Sequence, residues 1–110
     1  MDRLRVQEAL TNLLDNSIKY MGDRPHPEIE VGWRPEGEET VFFVRDNGIG
    51  MDPDQWEKVF GLFYKIDPDS EGSGVGLAIV RRIIEVHGGR IWIESEEGRG
   101  TCVLFTLPTP

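Results

Sequence analysis

Two stretches of this chain repeat their apolar side chains at helical spacing, and a pair of short runs alternating with period two follows each of them. In residues 2–20, DRLRVQEALTNLLDNSIKY, one broad arc holds Leu4, Val6, Ala9, Leu10, Leu13, Leu14 and Ile18. The opposite arc holds Glu8, Asn12, Asp15, Asn16 and Lys19, which is the signature of an amphipathic helix. Val75–His87 repeats it with Val75, Ile79, Val80, Ile83, Ile84 and Val86, and Gly88-Gly89 stops it. Glu28–Arg34 sets Ile29, Val31 and Trp33 against Glu28, Glu30 and Gly32, which predicts a half-buried strand. Pro35-Glu36-Gly37-Glu38 turns it into a second strand, Thr40–Asp46. Ile91–Ser95 and Thr101–Leu107 form a last hairpin around Glu97-Gly98-Arg99-Gly100. Between the two halves, Pro53 opens a short helix through Phe60, and 64–73, YKIDPDSEGS, reads as a mobile loop. The order predicts an α+β two-layer sandwich, with an antiparallel-rich sheet and helices on one face. At 110 residues this is one domain, 1–110.

Composition removes several function classes. Twelve basic residues stand against 20 acidic ones, a net charge of −8, so nucleic acid and anionic membrane are excluded as main partners. The single cysteine, Cys102, excludes a disulfide framework and a cysteine zinc site and fits a reducing, cytoplasmic compartment. No apolar run approaches the roughly 20 residues of a membrane span, and there is no signal peptide.

Three elements carry candidate chemistry. Asn12 and Asn16 stand one turn apart on one helix face, with Lys19 a further turn along. A solvated face is one reading. However, Asn is a mediocre helix former, and Lys or Glu would serve a merely wet face better. The other reading is a pair of neutral oxygen donors for Mg²⁺ whose charge is balanced by substrate phosphates, with Lys19 on a phosphate oxygen. The second element is Asp46-Asn47-Gly48-Ile49-Gly50-Met51. It is either an Asp-initiated turn or the floor of a base site. In the latter case Asp46, on the strand face of Phe42 and Val44, accepts from an adenine amine and repels a guanine oxygen. Its glycines would let the base lie against the backbone. The third is Gly72-Ser73-Gly74-Val75-Gly76-Leu77, a glycine-rich helix entry suited to phosphate. It lacks both the Lys-Ser/Thr of a P-loop and the preceding strand of a dinucleotide fingerprint. His26, between prolines, and His87, at a helix end, receive no catalytic role. Trp33, Trp56 and Trp92 read as core or edge packing.

The order of these elements resembles the ATP-binding domain of sensor histidine kinases, within the nucleotide-binding superfamily that includes type II topoisomerases, mismatch-repair ATPases and the large heat-shock chaperone. The resemblance runs from Arg3 to Leu107 and includes the ending HGGRIWIESEEGRGTCVLFTLP. It implies a Bergerat fold with a mixed, mostly antiparallel sheet, ATP and Mg²⁺ as ligands, and the metal on Asn16 and Asn12. By the same resemblance Lys19 approaches a phosphate, Tyr20 the nucleotide, and Asp46 the adenine amine, with Gly48 and Gly50 beside the base. Phe60 and Phe63 pack the base of a lid, Gly72, Gly74, Gly76 and Leu77 form the second glycine box, and Thr101 helps hold adenine. Lys65 stands where the family usually has an arginine near the terminal phosphate, without that residue's bidentate geometry. Ser17 replaces a usual alanine, and Gly61 a frequent glutamate. The family's strand before the first helix and its phosphoacceptor histidine are both absent, which implies a monomeric fragment of a longer kinase. Its partners would be a histidine-bearing dimerisation domain and, indirectly, a response regulator. Hydrolytic relatives carry a glutamate one turn before the magnesium asparagine. Here that position is Asn12, whose amide cannot take a proton at neutral pH. Phosphoryl transfer to a partner's histidine is therefore expected over fast hydrolysis. A hydrolytic ATPase, an anti-sigma-type serine kinase and a degenerate interaction module are the alternatives.

Overall fold

A computed structural model of the chain describes residues 3–60, 76–96 and 98–107. The order is α1 (Arg3–Lys19), β1 (Ile29–Glu36), β2 (Glu39–Asp46), two short 3₁₀ turns (Pro53–Gln55 and Lys58–Phe60), α2 (Gly76–Val86), β3 (Ile91–Glu96) and β4 (Gly100–Leu107). The strands form a sheet in the order β1-β2-β4-β3. Each pairing among the described residues is antiparallel, where the resemblance implied a mixed sheet.

Register lines up whole rows of side chains across the sheet. Trp33, Phe42, Phe105 and Ile91 make one row, and Val31, Val44, Val103 and Ile93 the next. These rows share a face, because side chains alternate sides along a strand. From β2, β4 and β3 that face meets Ala9 and Leu13 of α1 and Leu77, Val80, Ile83 and Ile84 of α2 in one core. Phe42 and Phe105 stack with centroids 5.4 Å apart and planes at 18°, worth about 1 kcal/mol beyond the area they bury.

Four expectations are corrected. β1 is exposed rather than half-buried: Val31 is 54% and Trp33 67% accessible. It is an edge strand, and the helices lie over β2, β4 and β3 instead. Pro35 sits within this edge strand and the turn shortens to Gly37-Glu38, since proline's missing N–H is tolerated at an edge. In α1 the buried stripe is Ala9, Leu13 and Ser17, while Leu4 and Ile18 of the apolar arc face solvent. A single helix over 53–60 is replaced by two 3₁₀ turns. The Asp52 carboxylate accepts from Asp54 N and the Gln55 side chain from Asp52 N, forming a capping box around a very short turn. The loop read over 64–73 lies outside the described residues.

Candidate functional site

The third row on the helix-side face runs Ile29, Asp46, Thr101, Ser95. Two apolar rows thus give way, at the end of the same face, to a carboxylate and two hydroxyls. Asp46 Oδ1 accepts from Gly48 N at 2.9 Å and from Thr101 N at 3.2 Å. Its second oxygen, Oδ2, has no hydrogen bond among the described residues. A carboxylate with one oxygen locked by two backbone amides is fixed in direction, and the other oxygen is left to accept from a ligand.

The two glycines after Asp46 answer to different constraints. A Cβ on Gly48 would come 2.5 Å from the Tyr20 carbonyl oxygen, so the turn is pressed against the exit of α1. Gly50 has φ +70°, which costs a side-chain-bearing residue strain. The close approach at Gly48 is therefore to the chain's own backbone, where a ligand was expected. Ile49 N donates to Tyr20 O at 3.0 Å, and Tyr20 N to Asn16 O at 3.1 Å. The asparagine end of α1 is in this way tied to the Asp46 turn.

Asn12 and Asn16 are each half-buried, and neither amide has a side-chain hydrogen bond among the described residues. A pair of unpartnered amides on one helix face suits a ligand that brings its own charge. Among the described residues no group of three or more His, Cys, Asp and Glu could hold a metal by itself. The two neutral amide oxygens fit a Mg²⁺ ion whose charge is balanced by phosphate oxygens. Lys19 is exposed at the end of α1, and Tyr20 half-buried just beyond it. Gly76 opens α2, and Leu77 is buried in the core, 7% accessible. Lys65, Gly72, Gly74 and Phe63 lie outside the described residues. Phe60 is buried, with the Arg81 guanidinium 5.4 Å from its ring centroid. His87 donates a ring N–H to Ile83 O at 2.7 Å, a helix-end contact.

Sequence reasoning missed three residues. Arg24 donates to Gly48 O at 2.8 Å and also to Gly98 O, clamping the Asp46 turn to the last hairpin. Asn47 accepts from Glu28 N at 2.8 Å and donates to His26 O at 2.9 Å, which fixes the loop before β1. Ser95 accepts from Met51 N at 3.0 Å. The Asp46-Asn47 dipeptide was a turn signal that pointed to Asn47. An arginine in a proline-rich loop and a serine in a strand carry no comparable local signal.

The pKa of Cys102, on the opposite face of β4 beside Arg45, is raised from its ordinary value. Burial is the main cause, and its hydrogen bond to Arg45 acts in the other direction.

The whole chain, residues 1–110, matches the family described as histidine kinase-, DNA gyrase B-, and HSP90-like ATPase. It is 99% identical over its full length to part of the methanogenesis regulatory histidine kinase FilI of Methanothrix harundinacea, and spans 12% of that protein's length. Among solved structures, the mycobacterial sensor histidine kinase MprB superposes with a TM-score of 0.84 at 28% identity, covering 98% of this chain and 72% of that one. Full-length ShkA in complex with AMPPNP superposes with a TM-score of 0.82 at 28% identity, covering 94% of this chain and 21% of that one. A polar row closing an apolar sheet face, an asparagine pair on the first helix and a match along the entire sequence agree: the chain belongs to the histidine kinase-, DNA gyrase B-, and HSP90-like ATPase family.

Proposed function

We propose that this domain binds Mg²⁺-ATP and presents the γ-phosphoryl group to a histidine on a separate phosphoacceptor domain, as a part of a two-component kinase. The observation that carries the reading is Asp46, with Oδ1 locked by Gly48 N and Thr101 N and Oδ2 left open. A fixed acceptor at the polar end of an apolar face selects an amine-bearing base. Asn12 and Asn16 would hold Mg²⁺, which when bound screens the phosphate charge. Lys19 would meet a phosphate oxygen from the last turn of α1. Lys65 and the glycines at 72, 74 and 76 complete this assignment as phosphate-side residues, with Tyr20 and Thr101 on the nucleotide. The ShkA neighbour's complex with AMPPNP supports an adenine nucleotide here. The similarity to FilI supports a kinase over a hydrolytic ATPase, as does an amide at position 12, where hydrolysis needs a base. The nucleophile then comes from outside the domain, which positions ATP and screens its charge.

Titration calorimetry with AMPPNP tests this directly. Binding should strengthen with Mg²⁺, and Asp46→Asn should weaken it about 10- to 100-fold, the loss of a charged hydrogen bond of about 1.5–3 kcal/mol. Unchanged affinity in Asp46→Asn would refute the adenine assignment. With a histidine-bearing partner domain added, phosphate should transfer in acid-labile form. Acid-stable phosphate on a serine would point to the serine-kinase alternative.

A further inference from the structure

The Ser95 hydroxyl touches three polar atoms at once. Met51 N lies at 3.0 Å, Gly100 O at 2.7 Å and Thr101 Oγ1 at 2.9 Å. A serine hydroxyl has one proton and two lone pairs. The Met51 amide can only donate, so it takes one lone pair. The Gly100 carbonyl can only accept, so it takes the proton. Only a lone pair remains for Thr101, and in that contact Thr101 must be the donor. The proton of the Thr101 hydroxyl is thereby committed to Ser95, and its free lone pairs are what it offers elsewhere.

Thr101 stands between Ser95 and Asp46 in the row that ends the helix-side face. Asp46 also offers only acceptors, its Oδ1 already holding two backbone N–H groups. Asp46 and Thr101 therefore offer oxygen lone pairs from this row and no side-chain proton.

We infer that Ser95 is a positioning residue for base selection: by holding the Thr101 proton away from the ligand it makes this end of the site acceptor-only, so that an exocyclic amine is welcomed and a carbonyl oxygen repelled. The inference rests on the nucleotide reading above. It goes beyond that reading because Asp46 alone would leave a freely rotating Thr101 hydroxyl able to donate to the carbonyl oxygen of a guanine.

The test compares AMPPNP and GMPPNP affinities of the unaltered chain, Ser95→Ala and Ser95→Thr by calorimetry, with each fold checked by circular dichroism. Ser95→Ala frees the Thr101 proton. The adenine-over-guanine ratio should then fall about fivefold, the equivalent of one ordinary hydrogen bond, through a gain in guanine affinity. Ser95→Thr keeps a hydroxyl and should keep the ratio. A purely structural role would weaken both nucleotides alike, and an unchanged ratio in Ser95→Ala overturns the inference while leaving the nucleotide site intact. Failure of the unaltered chain to bind either nucleotide overturns the nucleotide reading itself and this inference with it. Ser95→Cys, of similar volume but a weak hydrogen-bonding group, should shift the ratio in the same direction and replaces Ser95→Ala should that variant not fold.

Discussion

At Trp56 packing and hydrogen bonding disagree. Its ring packs against the core beside the 3₁₀ turns, yet its Nε1 is buried without a hydrogen-bond partner among the described residues. Leaving a donor unpaired costs about 1–3 kcal/mol. Trp56→Phe removes that donor while keeping most of the apolar contact, so urea denaturation should show a change below about 1 kcal/mol. Trp56→Ala removes the contact as well and should cost about 3–5 kcal/mol. Asp46 shows the opposite case at the same scale, a polar group whose one oxygen is fully occupied by neighbouring amides. The residue type and its place at the strand end were readable. The locking of Oδ1 was not, because Thr101 N comes from 55 residues further along the chain.

At the scale of elements, α1 shows how far periodicity reaches. Its apolar arc was visible in the sequence and the helix is there. The arc is wider than the surface that covers it, so Leu13 is 1% accessible while Ile18 is 64%. Leu13→Ala should cost about 2–5 kcal/mol and Ile18→Ala less than about 1 kcal/mol, measured by chemical denaturation. β1 follows the same logic. Its alternation marked a strand, but alternation says only which residues share a face. Whether that face is covered depends on sheet order, and β1 lies at the edge beyond the helices. The segment 53–60 read as one helix because Pro53 marks a start and not a length, and the Asp52 capping box closes over only a short 3₁₀ turn.

For the whole molecule, the face of the sheet turned away from the helices bears on alkaline stability. Cys102 is paired with Arg45 on β2 and Glu94 on β3 in the row Glu30, Arg45, Cys102, Glu94. Its pKa is raised in the folded state, mainly by burial. The folded chain therefore holds the thiol proton more tightly than the unfolded chain. Stability from this group is full below the ordinary thiol value of 9.0 and is lost as pH rises through the folded value. Denaturation midpoints at pH 8 and pH 10 should differ less in Cys102→Ala than in the unaltered chain. The thiol should also react more slowly with iodoacetamide when folded than in urea. Among the described residues no helix is long and apolar enough to cross a membrane.

The sequence by itself determined the two long helices, the four strands and their order, because the period of the apolar pattern is a local property that each segment carries alone. It also placed Asp46 at a strand end and paired Asn12 with Asn16 on one helix face. Tertiary structure decided which apolar side chains are covered, why Gly48 must lack a side chain, and how Arg24, Ser95 and Thr101 meet Asp46 and its turn. The physical reason is that register and close approach join residues far apart in sequence. The direction of a single hydroxyl proton depends on all of its neighbours at once.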